Sequence, residues 1–448
     1  MTTGEFRDLF PILTRKVYGK NLVYFDNAAT SQRPKSVLDK FLALSQESNA
    51  NIYRAVHKLS AEATDAYEQA REAARTFVNA GSREEILFTS GCTAAINTVA
   101  YSFGQAFVKA GDIIVVGEGE HHSNLVPWQL LCGRTGASLR ILPINDKGHW
   151  DLSVLKALLG EGCPVAAGHD VKVAAGSVTP DLLGGLAAPR VKLVAVTHIS
   201  NVLGLVNPVE EVIGLCHAAG VPVLVDGAQG IVHERVDVQA MDCDFYAFSG
   251  HKVYAATGTG VLYGKKHWLE QMPPFLSGGE MVGTVTLEHA DFAALPHKFE
   301  AGTGNFASIA TFPEAFETAL MARELEIADA YESVCAYLEE ALRARGDVRL
   351  YGEAAALTDA AGATETASAA YRRTGVFSFT IDGVHHEDVA QVLDKMGIAV
   401  RSGLMCAEPV IRHFGVSGMV RASLAPYNTM EEAEYFIKCL DKAVNLLR

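Results

Sequence analysis

VLVDGAQGIVHERVDVQAMDCDFYAFSGHK, residues 223–252, carries two apolar, β-rich runs, Val223–Asp226 and Phe245–Phe248. Upstream, Ile86–Thr89, Ile113–Val116 and Leu193–Thr197 have the same character and alternate with helical patterns. Such alternation predicts βαβ crossovers and a mainly parallel sheet, an α/β fold. Before the first strand, Leu59, Ala63, Tyr67, Ala70, Ala74 and Phe77 recur at steps of three or four, which predicts an amphipathic helix over Leu59 to Val78 with that face on the core. A long helical stretch around Phe312 to Arg345 closes this pattern. A strand near Val376–Ile381, a helix near Glu387–Met396, a strand near Ala399–Arg401 and a final helix follow, and they read as a smaller α+β unit. The expected division is a large domain over 21–305 and a small one from 1–20 plus 306–448. Two segments rich in Gly, Ala, Ser or Thr, Gly160–Arg190 and Gly352–Thr374, break the alternation and read as surface insertions.

The 448 residues suit two or three domains, and 49% hydrophobic with 20% charged residues is ordinary for a globular protein. A formal net charge of -14 argues against nucleic acid or an anionic membrane as partner. The start, MTTGEFRDLFPILTRKVYGK, lacks a signal-peptide apolar core, and no apolar run is long enough to span a bilayer, so a cytoplasmic location is expected. The eight cysteines show no CxxC pairing, which points away from a disulfide framework or zinc ribbon.

Phe248-Ser249-Gly250-His251-Lys252 directly follows an apolar strand. A lysine among small residues at a strand end suits Schiff-base chemistry, because a desolvated amine is nucleophilic and an aldehyde cofactor captures it as an imine. Taken alone, Lys252 also fits a surface lysine. Asp226 ends its own apolar run 26 positions earlier (252 − 226). A pyridoxal cofactor needs such a carboxylate against its ring nitrogen, although an Asp there is also a common cap or turn former. Parallel strands put both residues at one carboxyl edge, where α/β ligands sit. Ser90-Gly91-Cys92-Thr93, between a strand and a helix beginning near Ala94, offers backbone N–H groups and the Thr93 hydroxyl to a phosphate, or ordinary capping. At two further strand ends, Glu120-His121-His122-Ser123-Asn124 supplies an imidazole that can stack on a ring and act as acid or base, and Thr197-His198-Ile199-Ser200-Asn201 supplies an amide. Metal binding by the histidine pair ranks low, since adjacent histidines in a strand point to opposite faces and no carboxylate cluster completes a ligand set. Near the C-terminus, Arg401 to Pro409 is a Gly- and Pro-bounded loop carrying Cys406, and Arg421 follows. A cysteine on a mobile loop can reach a bound substrate and a guanidinium can clamp a carboxylate; a packing thiol and a surface arginine are the alternatives.

Together these stretches resemble the class V aminotransferase family of fold-type I pyridoxal-phosphate enzymes, and within it the group II cysteine desulfurases of the SUF type. The resemblance spans nearly the whole chain: YFDNAAT at 24–30, NIYRAVH at 51–57, EHHSNLVPWQ at 120–129, SNVLG at 200–204, VDGAQG at 225–230, DCDFYAFSGHK at 242–252, SGGEM at 277–281, FEAGT at 299–303 and RASLAPYNT at 421–429. It implies that Lys252 carries pyridoxal 5'-phosphate and later moves the proton at the substrate carbon, that Asp226 pairs with the ring nitrogen, that Gln229 bonds the ring hydroxyl and that His121 stacks on the ring. Thr93, Ser249 and His251 would hold the phosphate, with the Cys92 amide beside them. Thr303 would reach the phosphate of a neighbouring subunit, which implies a homodimer. Asn201 and Arg421, with Ala29 beside them, would bind the amino acid, and Cys406 would accept sulfur. No metal is implied. Leu404 and Met405 stand where two histidines commonly precede the catalytic cysteine, and Gly304 stands in place of a usual proline.

The implied reaction converts L-cysteine to L-alanine and leaves a persulfide on Cys406, from which a protein acceptor of the SUF type would carry sulfur to iron–sulfur cluster or related biosynthesis. Selenocysteine lysis, cysteine sulfinate desulfination or another class V lyase step are the rival reactions on this scaffold, and a non-catalytic sulfur-relay protein is the rival of another kind. A free thiol has a pKa of about 8.5, so only a few per cent is thiolate near neutral pH without local help. The sequence names no group that gives it.

Overall fold

The computed structural model describes residues 1–160, 190–355 and 371–448. Its main sheet is seven-stranded: β1 (Ile86–Thr89), β2 (Ile113–Gly117), β3 (Ser138–Leu142), β4 (Val191–Thr197), β5 (Val223–Asp226), β6 (Phe245–Ser249) and β7 (Gly260–Gly264), in the spatial order β1-β7-β6-β5-β4-β2-β3. All neighbours are parallel except β7, which runs antiparallel to both β6 and β1. That one reversal leaves β1 pointing the same way as β6, so the carboxyl ends of β1, β2, β4, β5 and β6 share one edge.

Both faces are buried, which is why the strands read as unbroken apolar runs. Val223 and Val225 enter one core with Val194, Val196, Tyr246 and Phe248, while Leu224 enters the other with Leu193, Ala195, Phe245 and Ala247. The helix expected over Leu59 to Val78 is α1 (Lys58–Phe77). Ala63, Tyr67, Ala70 and Ala74 are buried as the spacing requires, but Leu59 is exposed. In the first turn Ser60 turns inward instead, its hydroxyl donating to the Asn51 carbonyl at 2.7 Å. The stretch around Phe312 to Arg345 is two helices, α2 (Phe312–Met321) and α3 (Leu325–Arg343), not one.

A second, antiparallel sheet has the order β8-β9-β11-β10, with β8 Val348–Leu350, β9 Val376–Ile381, β10 Arg401–Gly403 and β11 Met419–Ser423. It packs with α3, α4 (His386–Lys395) and α5 (Met430–Leu447) around its own core. The strand expected near Ala399–Arg401 is divided: Ile398–Ala399 pairs in parallel with Val23–Tyr24, and Arg401 begins β10. Val23 and Phe25 thus join the small core, whereas Phe6, Phe10 and Leu13 join the large one. The N-terminal segment interweaves the two units, and the division into 21–305 against 1–20 plus 306–448 stands as a proposal. Most of Gly160–Arg190 and Gly352–Thr374 lies outside the described residues. Among the described residues no helix is long and apolar enough to cross a membrane.

The FEAGT stretch is anchored by a buried cation. Arg71 on α1, 0% exposed, donates to both Glu300 oxygens (2.7 and 2.8 Å) and to the Ile86 carbonyl (2.8 Å), while Glu300 also accepts the Phe88 N–H at 2.8 Å. One carboxylate therefore joins the 299–303 segment, α1 and β1. Glu300→Ala should destabilise the protein by about 3 kcal/mol in urea unfolding, because it strands a buried charge; a loss under about 1 kcal/mol would show that Glu68 alone satisfies Arg71.

Candidate active site

Asp226 is the last residue of β5 and Ser249 the last of β6, with Lys252 one short turn beyond; the register sets Thr197 beside Asp226 and Asp226 beside Ala247. The edge these strands share opens into a cavity of about 150 Å³. Lys252, Asp226, His121 and Gln229 line it, as do Thr93, Ser249 and His251 at one part of the wall. Cys92, Ala29, Asn201 and Arg421 complete the expected residues found there. Cys406 and Thr303 are not on this wall: the neighbouring Met405 lines it in place of the half-buried Cys406, and Thr303 is exposed to solvent.

Enclosure lowers the Lys252 pKa from its ordinary value, so the amine loses its proton more readily, and raises that of Asp226, against which the Ala228 N–H (2.9 Å) and the Lys252 charge act. Burial and the charge of Lys252 hold His121 down to about 4, neutral at ordinary pH. The Ser123 N–H donates to its Nδ1 at 3.1 Å, which puts the ring proton on Nε2. The histidine pair is not on a strand, as expected from sequence, but at the start of a one-turn helix, His122–Asn124, beyond β2. There the two rings part: His121 faces the cavity, and His122 reaches the Cys406 turn.

Gly91 caps the helix Cys92–Phe107 at φ +141°, a conformation side chains rarely adopt, and a Cβ there would press on Ser249 Oγ at 3.3 Å. The helix starts earlier than the expected Ala94, and the Cys92 N–H is taken: it donates to Ser249 Oγ at 2.8 Å. The Ser249 hydroxyl proton and the Thr93 hydroxyl, not the Cys92 amide, remain for an anion. Beside them His251 Nδ1 is buried with no partner among the described residues.

The Cys406 loop is compact. It is a short turn between β10 and the helix Glu408–His413, with Met405 and Ala407 buried. The Asn201 amide donates to the Met405 carbonyl at 2.8 Å and the His122 N–H to the Cys406 carbonyl at 2.7 Å. Arg401, missed in the sequence because only the fold returns β10 to the cavity, lines the wall and donates from Nη2 to Cys406 Sγ at 3.5 Å. Arg421, 1% exposed, gives Nη1 to the Asn201 carbonyl (2.9 Å) and Nη2 to Asp26 Oδ1 (3.0 Å), and its Nε has no partner among the described residues. Glu120 was also missed. It is fully buried, with burial raising its pKa, and it accepts from the Asn124 amide (2.6 Å) and the Thr197 N–H (2.9 Å), tying the His121 loop to β4.

An amine of lowered basicity and a carboxylate at the carboxyl edge of a doubly covered parallel sheet define a class of covalent-cofactor enzymes, and the chain belongs to the aminotransferase class-V family, whose profile matches residues 23–180 and 168–436. Within it the chain is similar to the cysteine desulfurase of Cronobacter sakazakii, 41% identical over 444 residues, covering 99% of this chain and 98% of the relative. A probable cysteine desulfurase of Synechocystis sp. is 42% identical over 439 residues, covering 98% and 94%. Among solved structures, the cysteine desulfurase CsdA (S-sulfonic acid) from Escherichia coli aligns over 100% of both chains with TM-score 0.82 and 34% identity. The apo cysteine desulfurase of Thermococcus onnurineus NA1 gives 0.83 at 33%, covering 99% and 98%.

His121 and His251, both held near 4 by burial against an ordinary 6.5, gain protons when the chain unfolds. The cofactor-free protein should therefore keep full stability above about pH 6.5 and lose it toward pH 4, at most about 1.4 kcal/mol per pH unit for each imidazole. A His121→Gln/His251→Gln double variant should flatten the slope of unfolding free energy between pH 7 and 5; an unaltered slope would contradict the assignment.

Proposed function

We propose that the protein is a pyridoxal-phosphate-dependent cysteine desulfurase that moves the sulfur of L-cysteine to Cys406 and releases L-alanine. The observation that carries this is the Cys406 turn docked on the cavity of Lys252 and Asp226, with the Arg401 guanidinium against its sulfur. The names of relatives aligned over nearly the full chain support it.

The residues present fit the cofactor. Lys252 supplies the amine that captures its aldehyde, Asp226 the carboxylate for its ring nitrogen, and His121 a flat ring to stack. Gln229, which gives its amide to the Ala28 carbonyl at 2.8 Å, keeps a second amide hydrogen for the ring hydroxyl. Thr93, Ser249 and the unpartnered His251 suit the phosphate. When bound, pyridoxal phosphate supplies an electron sink for charge left on the substrate carbons.

Arg421 and Asn201, beside Ala29, hold the substrate carboxylate, the Arg421 Nε being free to donate. The Lys252 amine takes the α-proton and can return it, a role that its lowered basicity serves. His121, neutral with its proton on Nε2, can pass a proton on the cavity side. Cys406, as thiolate, attacks the substrate sulfur: a sulfur–sulfur bond forms, the carbon–sulfur bond breaks, and its electron pair stays with the β-carbon, which takes a proton to become the methyl group of alanine. The positive charge of Arg401 lies where that thiolate needs it. The sulfane sulfur then leaves to an acceptor thiol, and we assign the acceptor to the SUF type and the chain to group II. The exposure of Thr303, away from its own cavity, supports a homodimer in which it reaches the neighbour's phosphate.

Borohydride treatment of the loaded protein should fix the cofactor on the Lys252 peptide, and label on another lysine would overturn that assignment. Cys406→Ser should bind cofactor and L-cysteine but release alanine at least about a hundredfold more slowly, having lost its nucleophile. Alanine release at the parent rate, with no persulfide on the parent's Cys406 peptide, would make the protein a lyase that uses no thiol.

A further inference from the structure

Cys92 entered the sequence reading as a backbone donor, yet its side chain makes the more telling contact. Sγ lies 3.3 Å from Asp226 Oδ1 and 3.4 Å from the Ala247 carbonyl, with Cys92 4% and Asp226 3% exposed. We propose that the Cys92 thiol is a positioning residue for Asp226, donating its proton to Oδ1 so that Oδ2 is the oxygen presented to the cofactor ring. The proposal rests on Asp226 being the partner of the ring nitrogen.

Two donors, the Ala228 N–H at 2.9 Å and the Cys92 S–H, converge on Oδ1 from opposite directions along the chain. A carboxylate so held cannot rotate without breaking both bonds. Of the two acceptors near the sulfur, the carboxylate is the stronger, so the single thiol proton goes there. Burial and the neighbouring Asp226 charge keep the thiol protonated, and therefore a donor and not a nucleophile. That separates it from Cys406, whose sulfur faces a cation. The Cys92–Phe107 helix begins at this residue, so the thiol also links the start of that helix to the carboxylate at the end of β5.

Cys92→Ala removes the donor, and Cys92→Ser keeps one in nearly the same volume. Infrared difference spectra of the cofactor-free protein, parent minus Cys92→Ala, should show one hydrogen-bonded S–H stretch that shifts when Asp226 is changed to Asn; a stretch indifferent to Asp226→Asn would overturn the proposal. With pyridoxal phosphate bound, Cys92→Ala should move the pH midpoint of the visible band by about half a unit or more and slow alanine release about three- to tenfold, while Cys92→Ser stays close to the parent on both measures. Parent behaviour in Cys92→Ala, or equal damage in Cys92→Ser, would reduce Cys92 to packing. The underlying assignment fails separately: Asp226→Asn would then leave the visible band and turnover unaltered, whatever the Cys92 variants do.

Discussion

The site depends on one enclosed carboxyl group and one enclosed amine, Asp226 at the end of β5 and Lys252 one short turn beyond the neighbouring parallel strand β6. Each is costly to bury alone, and each offsets part of the other's cost. The sheet supplies the means, since β5 and β6 run parallel and deliver their last residues to the same edge. Everything else on the wall is arranged around that pair. Ser249 closes β6 and receives the Cys92 N–H, and Glu120 joins the His121 loop to β4 through the Thr197 N–H.

The small unit completes the site from the other side. Its strands β10 and β11 bring Arg401 and Arg421 to the cavity, and the N-terminal segment ties the two together, with Asp26 on the Arg421 guanidinium and the Asn27 amide on the Ser423 carbonyl at 2.8 Å. Substrate binding and the packing between the two units are therefore joined in one guanidinium, which already serves the Asn201 carbonyl on the large unit and Asp26 on the segment that crosses over.

What the sequence made legible follows from how strands advertise themselves. A parallel strand buried on both faces leaves an unbroken apolar run, so Val223–Asp226 and Phe245–Phe248 could be placed and the polar residues ending them singled out. Lys252, Asp226 and Asn201 were found that way, whereas Ser249 was singled out through the family resemblance. Arg401, Glu120 and the Cys92 thiol were not, because their importance comes from partners distant in the chain: Arg401 matters through the turn that folds back to it, and Cys92 through a carboxylate that only the sheet brings near. Leu59 misled for a different reason. A helix's first turn can depart from the apolar stripe when a polar residue with its own partner, here Ser60 on the Asn51 carbonyl, takes the inward position. The interwoven N-terminal segment has short elements with no periodicity long enough to assign.

Met405 and Cys406 both adopt left-handed backbone, at φ +53° and +55°. For residues with a β-carbon that conformation costs on the order of 1–2 kcal/mol each. Glycine or asparagine would sit there with less strain, but neither carries a nucleophile. The fold thus holds its reactive sulfur in a place where the chemically useless residue is the more comfortable one. Selection for stability alone would erode this turn, and its persistence in any descendant of the chain would be a mark of retained catalysis.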